Sequence, residues 1–209
     1  MLFYVIVIVW HSNNGVNLIK FLEGNMQFIK SIFIKLICVF VLVSSSFAYA
    51  EAGSHNITKS DVIEAQKAWG EGIVNIGLAY TKKQNYTNIA NKLVDELYDY
   101  DEGEVLFKPT KASEKQFRRT KEEAVSYFVK GIEPEDHGFA LQPWSSVRFD
   151  NSNIIIHGDT AIAMGNYFFT DATTKKETKV EYTFGYVLNK EGKLLINVHH
   201  SSFPYNPKN

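Results

Sequence analysis

The chain has 209 residues, is 45% hydrophobic and 14% aromatic, and carries 22 basic against 23 acidic side chains, a balance that offers no basic face to nucleic acid. Its one cysteine, Cys38, lies in the first fifty residues. Residues 51–209 can therefore form no disulfide, no thiolate metal site and no cysteine nucleophile.

Residues 26–50 read as a signal peptide: Lys30 and Lys35 supply a basic start, Ile32 to Val43 an apolar stretch, and Ala48-Tyr49-Ala50 a small-x-small cleavage site. The apolar run is short for a bilayer span and ends in Ser44-Ser45-Ser46, so no permanent membrane anchor is expected, and the destination is the periplasm. Residues 1–25 fit no targeting pattern and read as an upstream extension added by a misplaced start codon, with Met26 the true start. Setting residues 1–50 aside removes three lysines and one glutamate, leaving residues 51–209 near −3. That remainder suits one domain with a real core.

The first helix is announced by Thr58 with Asp61 three residues on, close to a capping box. Val62, Ala65, Trp69, Ile73, Ile76 and Tyr80 then recur at steps of three and four and predict one core-facing stripe. A second helix starts near Thr87 and carries Ala90, Leu93, Val94 and Leu97 before Asp99-Tyr100-Asp101-Glu102-Gly103 ends it. Glu104 to Lys108 reads as a short strand broken by Pro109, and Thr120 to Val129 as a third helix with Ala124, Tyr127 and Phe128 near one face. Beyond Gly138 the pattern becomes β: Ser145–Phe149, Asn153–His157, Thr160–Thr170, Lys179–Leu188 and Lys193–Ser202, separated by turn-like segments such as Asp150-Asn151-Ser152 and Gly158-Asp159. This order predicts an α+β domain, a strongly bent antiparallel sheet wrapped around about three N-terminal helices.

The last strand ends in His199-His200-Ser201-Ser202. Strict alternation from Leu194, Ile196 and Val198 sends His200 and Ser202 inward and Asn197, His199 and Ser201 outward. An imidazole beside a hydroxyl at the mouth of an apolar interior is a proton-handling pair. The plain alternative is a buried histidine held by a backbone carbonyl. Adjacent strand residues face opposite ways, so His199 and His200 do not form a metal site together.

Several segments carry a family resemblance: Val105-Leu106-Phe107-Lys108-Pro109-Thr110, Gln116-Phe117-Arg118, Ser126-Tyr127-Phe128-Val129, Gly138-Phe139-Ala140, Pro143-Trp144, the run from Gly158 to Phe169, Glu181 to Tyr186, and His199 to Ser202. Together they resemble the iota-class carbonic anhydrases, within the nuclear transport factor 2-like (SnoaL-like) cone fold. The resemblance implies a cone-shaped barrel, reversible hydration of CO2 to bicarbonate, and a metal-free polar pocket made by a threonine, a tyrosine, a histidine and a serine. On this chain those fall on Thr110, Tyr127, His200 and Ser202, with His199 and Ser201 the fallback pair. Thr110, Tyr127 and Ser202 would hold substrate, and His200 would accept or relay the proton. No cofactor is implied, with zinc or manganese the alternative.

Each residue also has a purely structural reading: Thr110 as a cap after Pro109, Tyr127 as a core aromatic, Ser202 as a strand end. The competing function is a non-catalytic association or small-ligand-binding module of the same fold. An isomerase or cyclase is a third, against which no acid stands on an inward strand position near His200. Of Tyr167, Phe168, Phe169, Tyr182, Phe184 and Tyr186, alternation turns some outward, and that outward set is expected to form a homodimer face.

Overall fold

A computed structural model describes residues 56–207, and the expected signal peptide (26–50) and upstream extension (1–25) lie outside them. The described elements run α1 (Lys59–Thr81), α2 (Tyr86–Leu97), a 3-10 turn (Asp99–Asp101), β1 (Leu106–Lys108), α3 (Lys121–Val129), a second 3-10 turn (Phe139–Leu141), β2 (Trp144–His157), β3 (Thr160–Asp171), β4 (Glu177–Leu188) and β5 (Leu194–Ser202). No helix among them is long and apolar enough to cross a membrane.

Helix α1 begins where the capping signal lies: the Asp61 amide donates to Thr58 Oγ1 and the Thr58 amide to Asp61 Oδ2. Val62, Trp69, Ile73 and Ile76 are buried as the stripe predicts. Tyr80 is not; it is 47% exposed and packs edge-on against Tyr86 at the start of α2. Thr120 caps α3 in the same reciprocal way with Glu123. Helix ends of this kind hold the first turn by satisfying amides that have no partner within the helix.

The strands form one five-stranded sheet in the order β1-β5-β4-β3-β2. It is α+β and curved, as expected, but it is open, with β1 and β2 as its edges, and β1 pairs with β5 in parallel. The remaining pairs are antiparallel. Trp69 of α1 sits at the centre, with Phe128, Phe149, Tyr167, Phe169, Phe184 and His199 ringed around it at centroid distances of 5.4 to 6.4 Å.

Two irregularities depart from the sequence reading, and both are β-bulges. The Asp150-Asn151-Ser152 segment is no turn; β2 is continuous, and its pairing with β3 slips by one residue between Asn151 and Asn153. Gly165 faces the slip, where a Cβ would come within 2.1 Å of the Asp150 carbonyl oxygen. In β5 the pairing with β4 jumps from Tyr186↔Ile196 to Gly185↔Val198, leaving Asn197 as an extra residue. Here too a glycine lies opposite: a Cβ on Gly185 would stand 2.9 Å from Asn197 Oδ1 and from Val198 Cβ. An inserted residue reverses the alternation of everything beyond it.

The aromatic strands pack differently from expectation as well. Tyr167, Phe169, Tyr182, Phe184 and Tyr186 are all buried, and Phe168 faces outward under the Arg148 guanidinium, 4.1 Å from its ring centre. The exposed apolar residues of that outer face are aliphatic: Ile155, its cross-strand partner Ile162, and Met164.

Candidate active site

The bulge at Asn197 decides which half of the strand tip enters the core. His199 and Ser201 are each 2% exposed. His200 is exposed, and Ser202 reaches the outer-face Glu181, its Oγ donating to Oε2 at 3.3 Å. The inward placement expected for His200 and Ser202 is therefore corrected to His199 and Ser201. The physical reason is the single extra residue, which flips every side chain after Ile196.

Parallel pairing brings β1 alongside this tip, Phe107 level with His199 and Lys108 with His200. Two residues on, past Pro109, Thr110 arrives beside Ser201, its Oγ1 2.8 Å from Ser201 Oγ. Tyr127 comes from α3. Its ring stacks on Phe139 at 5.5 Å and meets Phe107 edge-on at 5.8 Å, and its hydroxyl accepts from the Lys111 amide at 3.4 Å. Burial pushes the Tyr127 phenol above its ordinary pKa, with hydrogen bonding to the Lys111 amide and to Thr110 drawing it partly back. Three of the expected residues' chemistries thus meet: Thr110, Tyr127 and a serine, the serine being Ser201.

Tyr167 of β3 is a fourth hydroxyl at the same place. Its phenol is raised by burial and drawn back by hydrogen bonding to Ser201 and Thr110. The sequence held a signal for it, since Tyr167 shares an inward face with Ala161, Ala163 and Phe169. Raised phenols stay protonated at neutral pH, so Tyr127 and Tyr167 offer the site hydrogen-bond donors and no negative charge.

His199 closes the site from the core side. It lies flat on Phe107, centroids 4.4 Å apart, and against Phe184 at 4.2 Å. Its Nδ1 is 2.8 Å from the Tyr98 hydroxyl, which in turn accepts from Trp69 Nε1–H at 2.9 Å. Burial drives its pKa well below the ordinary imidazole value, with His200 adding a smaller push in the same direction. Tyr98 escaped the sequence reading because it sits just past the end of α2, off any periodic pattern.

A buried ionic cluster fixes the loop that follows Thr110. Arg118, fully buried, donates from Nη2 to Asp136 Oδ1 at 2.6 Å and from Nη1 to the Lys115 carbonyl. Asp136 Oδ2 accepts from Ser126 Oγ at 2.7 Å, tying the loop to the helix that carries Tyr127. A surface groove of about 410 Å³ includes Lys111 and Phe139 and so borders this corner. A larger one of about 640 Å³, between Tyr100 and the start of α3, touches none of the site residues. Among the described residues no group of three or more histidine, cysteine or acidic side chains could hold a metal ion.

A model of a family described as metal-independent carbonic anhydrase matches residues 60–203. This chain belongs to that family. A metal-independent carbonic anhydrase from Nostoc sp. is 46% identical over 154 residues, covering 71% of this chain and 75% of that protein. The crystal structure of an iota-carbonic anhydrase from a cyanobacterium, complexed with bicarbonate, is 44% identical; the match covers 72% of this chain and 94% of that one at a TM-score of 0.69. An NTF-2 like protein of unknown function from Shewanella oneidensis aligns with 70% of this chain at 13% identity and a TM-score of 0.45. The hydroxyl cluster and the bulged β5 both fall within the family match.

Proposed function

We propose that this protein interconverts CO2 and bicarbonate without a metal, at the cluster formed by Thr110, Tyr127, Tyr167, His199 and Ser201. The observation that carries the reading is the Thr110–Ser201 hydroxyl pair, 2.8 Å apart beside a buried imidazole, in a chain of the metal-independent family. The geometry supports a division of labour. Water attacks the CO2 carbon, and the electron pair of one C=O bond moves onto its oxygen. The Tyr127 and Tyr167 phenols donate to the oxygens that gain charge, a role in which fixed donors in a dry site contribute several kcal/mol. Thr110 and Ser201 each accept one proton while releasing their own, passing the proton lost by water toward solvent through half-buried Thr110. In zinc enzymes the metal lowers the pKa of bound water to about 7. Here the hydroxyl pair and the donors share that work.

Stopped-flow CO2 hydration, run with and without chelator, tests the reading. Activity that persists under chelation and falls in Ser201→Ala supports it; a protein inactive under both conditions overturns it in favour of the binding module.

Two further readings belong to this proposal. Residues 26–50 support export to the periplasm, checked by the N-terminal sequence of protein recovered from that compartment. The aliphatic outer face of Ile155, Ile162 and Met164 supports a homodimer in place of the aromatic face first expected. Light scattering on Ile162→Lys, expected to be monomeric where the parent is dimeric, checks it.

A further inference from the structure

His199 Nε2 is fully buried and has no hydrogen-bond partner among the described residues. The other ring nitrogen, Nδ1, is held 2.8 Å from the Tyr98 hydroxyl, and that hydroxyl is 2.9 Å from Trp69 Nε1. An indole N–H donates and never accepts. The Tyr98 oxygen therefore accepts a hydrogen bond from Trp69 Nε1–H, which leaves the phenol its own O–H to place. The remaining partner is His199 Nδ1, and Tyr98 is only 2% exposed. A proton on Nδ1 would turn two donors on one oxygen and strand the phenol proton in the core. Nδ1 must accept, and in a neutral imidazole the proton then resides on Nε2.

We propose that Trp69 and Tyr98 lock His199 as the neutral Nε2–H tautomer, so that it serves the site as a hydrogen-bond donor to an oxygen of CO2 or bicarbonate and not as the proton acceptor. This rests on the reading of the site as a CO2 and bicarbonate centre. Ring geometry turns Nε2 away from Tyr98, and β-alternation places His199 on the same face as Ser201, two residues on. The rings packed around it, Phe107, Phe184, Trp69 and Tyr98, carry no charge that would favour an imidazolium. Burial, which lowers its pKa, acts in the same direction. The role expected of a histidine at this tip, accepting the proton, needs a lone pair that the chain Trp69–Tyr98–His199 has already engaged. Trp69 and Tyr98 are positioning residues: they touch His199 and not the substrate.

Nitrogen-detected NMR of the full chain with labelled histidine tests the tautomer without any substitution. The expected result is one histidine with an unprotonated Nδ1 and a protonated Nε2, unchanged from pH about 8 to about 5, whose Nε2–H signal moves when bicarbonate is added. In hydration kinetics, His199→Gln, which keeps a donor near Nε2, is expected to retain about tenfold more kcat/KM than His199→Ala, and Tyr98→Phe to mix the two tautomers in the spectrum. A protonated Nδ1, or a folded His199→Gln as inactive as His199→Ala, overturns the proposal. A wild-type protein that hydrates no CO2 overturns the site reading and the donor role with it. That failure is distinguished from failure of the tautomer by the nitrogen shifts, which are read before bicarbonate is added.

Discussion

Thr110 Oγ1 and Ser201 Oγ meet at 2.8 Å although 91 positions separate them, because parallel β1 delivers one to the bulged end of β5 that carries the other. Removing either hydroxyl is expected to cut kcat/KM by about 100-fold, the scale of losing one preorganised hydrogen-bonding group. Thr110→Val and Ser201→Ala should leave stability within about 1 kcal/mol, the net worth of one such bond. Ser202→Ala and His200→Ala alter the outer face and should hydrate CO2 like the parent. Stopped-flow rates beside thermal midpoints check all four; loss of activity in Ser202→Ala with Ser201→Ala unimpaired would reverse the assignment.

The helix starts at Thr58 and Thr120 were legible in the sequence because capping and periodicity are local, whereas Thr110 and Tyr127 were singled out only by the family resemblance. The serine and histidine were legible in kind but not in register. Alternation counted from Leu194 assumes an unbroken ladder, and one inserted residue, Asn197, inverts the outcome. A clue lay in the neighbouring strand: Gly185, an isolated glycine inside an otherwise continuous strand pattern, marks a bulge or a close backbone approach. Gly165 marks the other bulge in the same way. Tyr98 and Arg118 had no such clue. Their partners, His199 and Asp136, are chosen by tertiary packing, and nothing in the spacing of the chain announces them.

Alkaline pH should unfold the protein through its buried phenols. Tyr98, Tyr127, Tyr167 and Tyr186 are all raised, chiefly by burial, and Tyr182 is raised to about 12. A phenol whose folded pKa exceeds its unfolded value of about 10 adds stability below that value and forfeits it as pH climbs toward the folded one. Urea midpoints are expected to stay level from neutral pH to about 10 and then to fall, with phenolate absorbance appearing together with unfolding. Phenolate absorbance at full amplitude in a still-folded protein at pH about 10 would contradict the burial of these hydroxyls.

At the acid end the sensitive group is Glu135. Its carboxylate accepts from the amides of Ser113, Glu114 and Lys115, and these bonds, that of Ser113 foremost, lower its pKa to about 2. A carboxylate depressed in this way adds stability above its unfolded pKa and loses it as pH falls through the folded one. The expected result is a loop 113–115 that holds to about pH 4 and loosens toward pH 2, read from the three amide shifts. Glu135→Gln should abolish that acid transition while leaving the alkaline one in place.

Arg118 and Asp136 form an ion pair with no exposed side-chain surface, and the ways of breaking it are unequal. Asp136→Ala removes the nearer carboxylate of the buried Arg118 guanidinium and leaves only Glu135 Oε1, 3.6 Å from Nη2, a loss expected to cost about 3 kcal/mol. Arg118→Met strands the Asp136 carboxylate, though Ser126 Oγ still donates to it at 2.7 Å, so a smaller loss is expected. Replacing both, Arg118→Met with Asp136→Leu, removes both charges and should recover much of the stability, since apolar packing often matches a buried ion pair. Activity need not follow stability. The pair fixes the loop after Thr110 and, through Ser126, the helix bearing Tyr127, so the double variant is expected to fold yet hydrate CO2 more slowly than the parent. Denaturant midpoints and hydration rates measured on the three variants separate the two effects. A double variant with full stability and full rate would show that the ion pair contributes nothing to placing Thr110 and Tyr127.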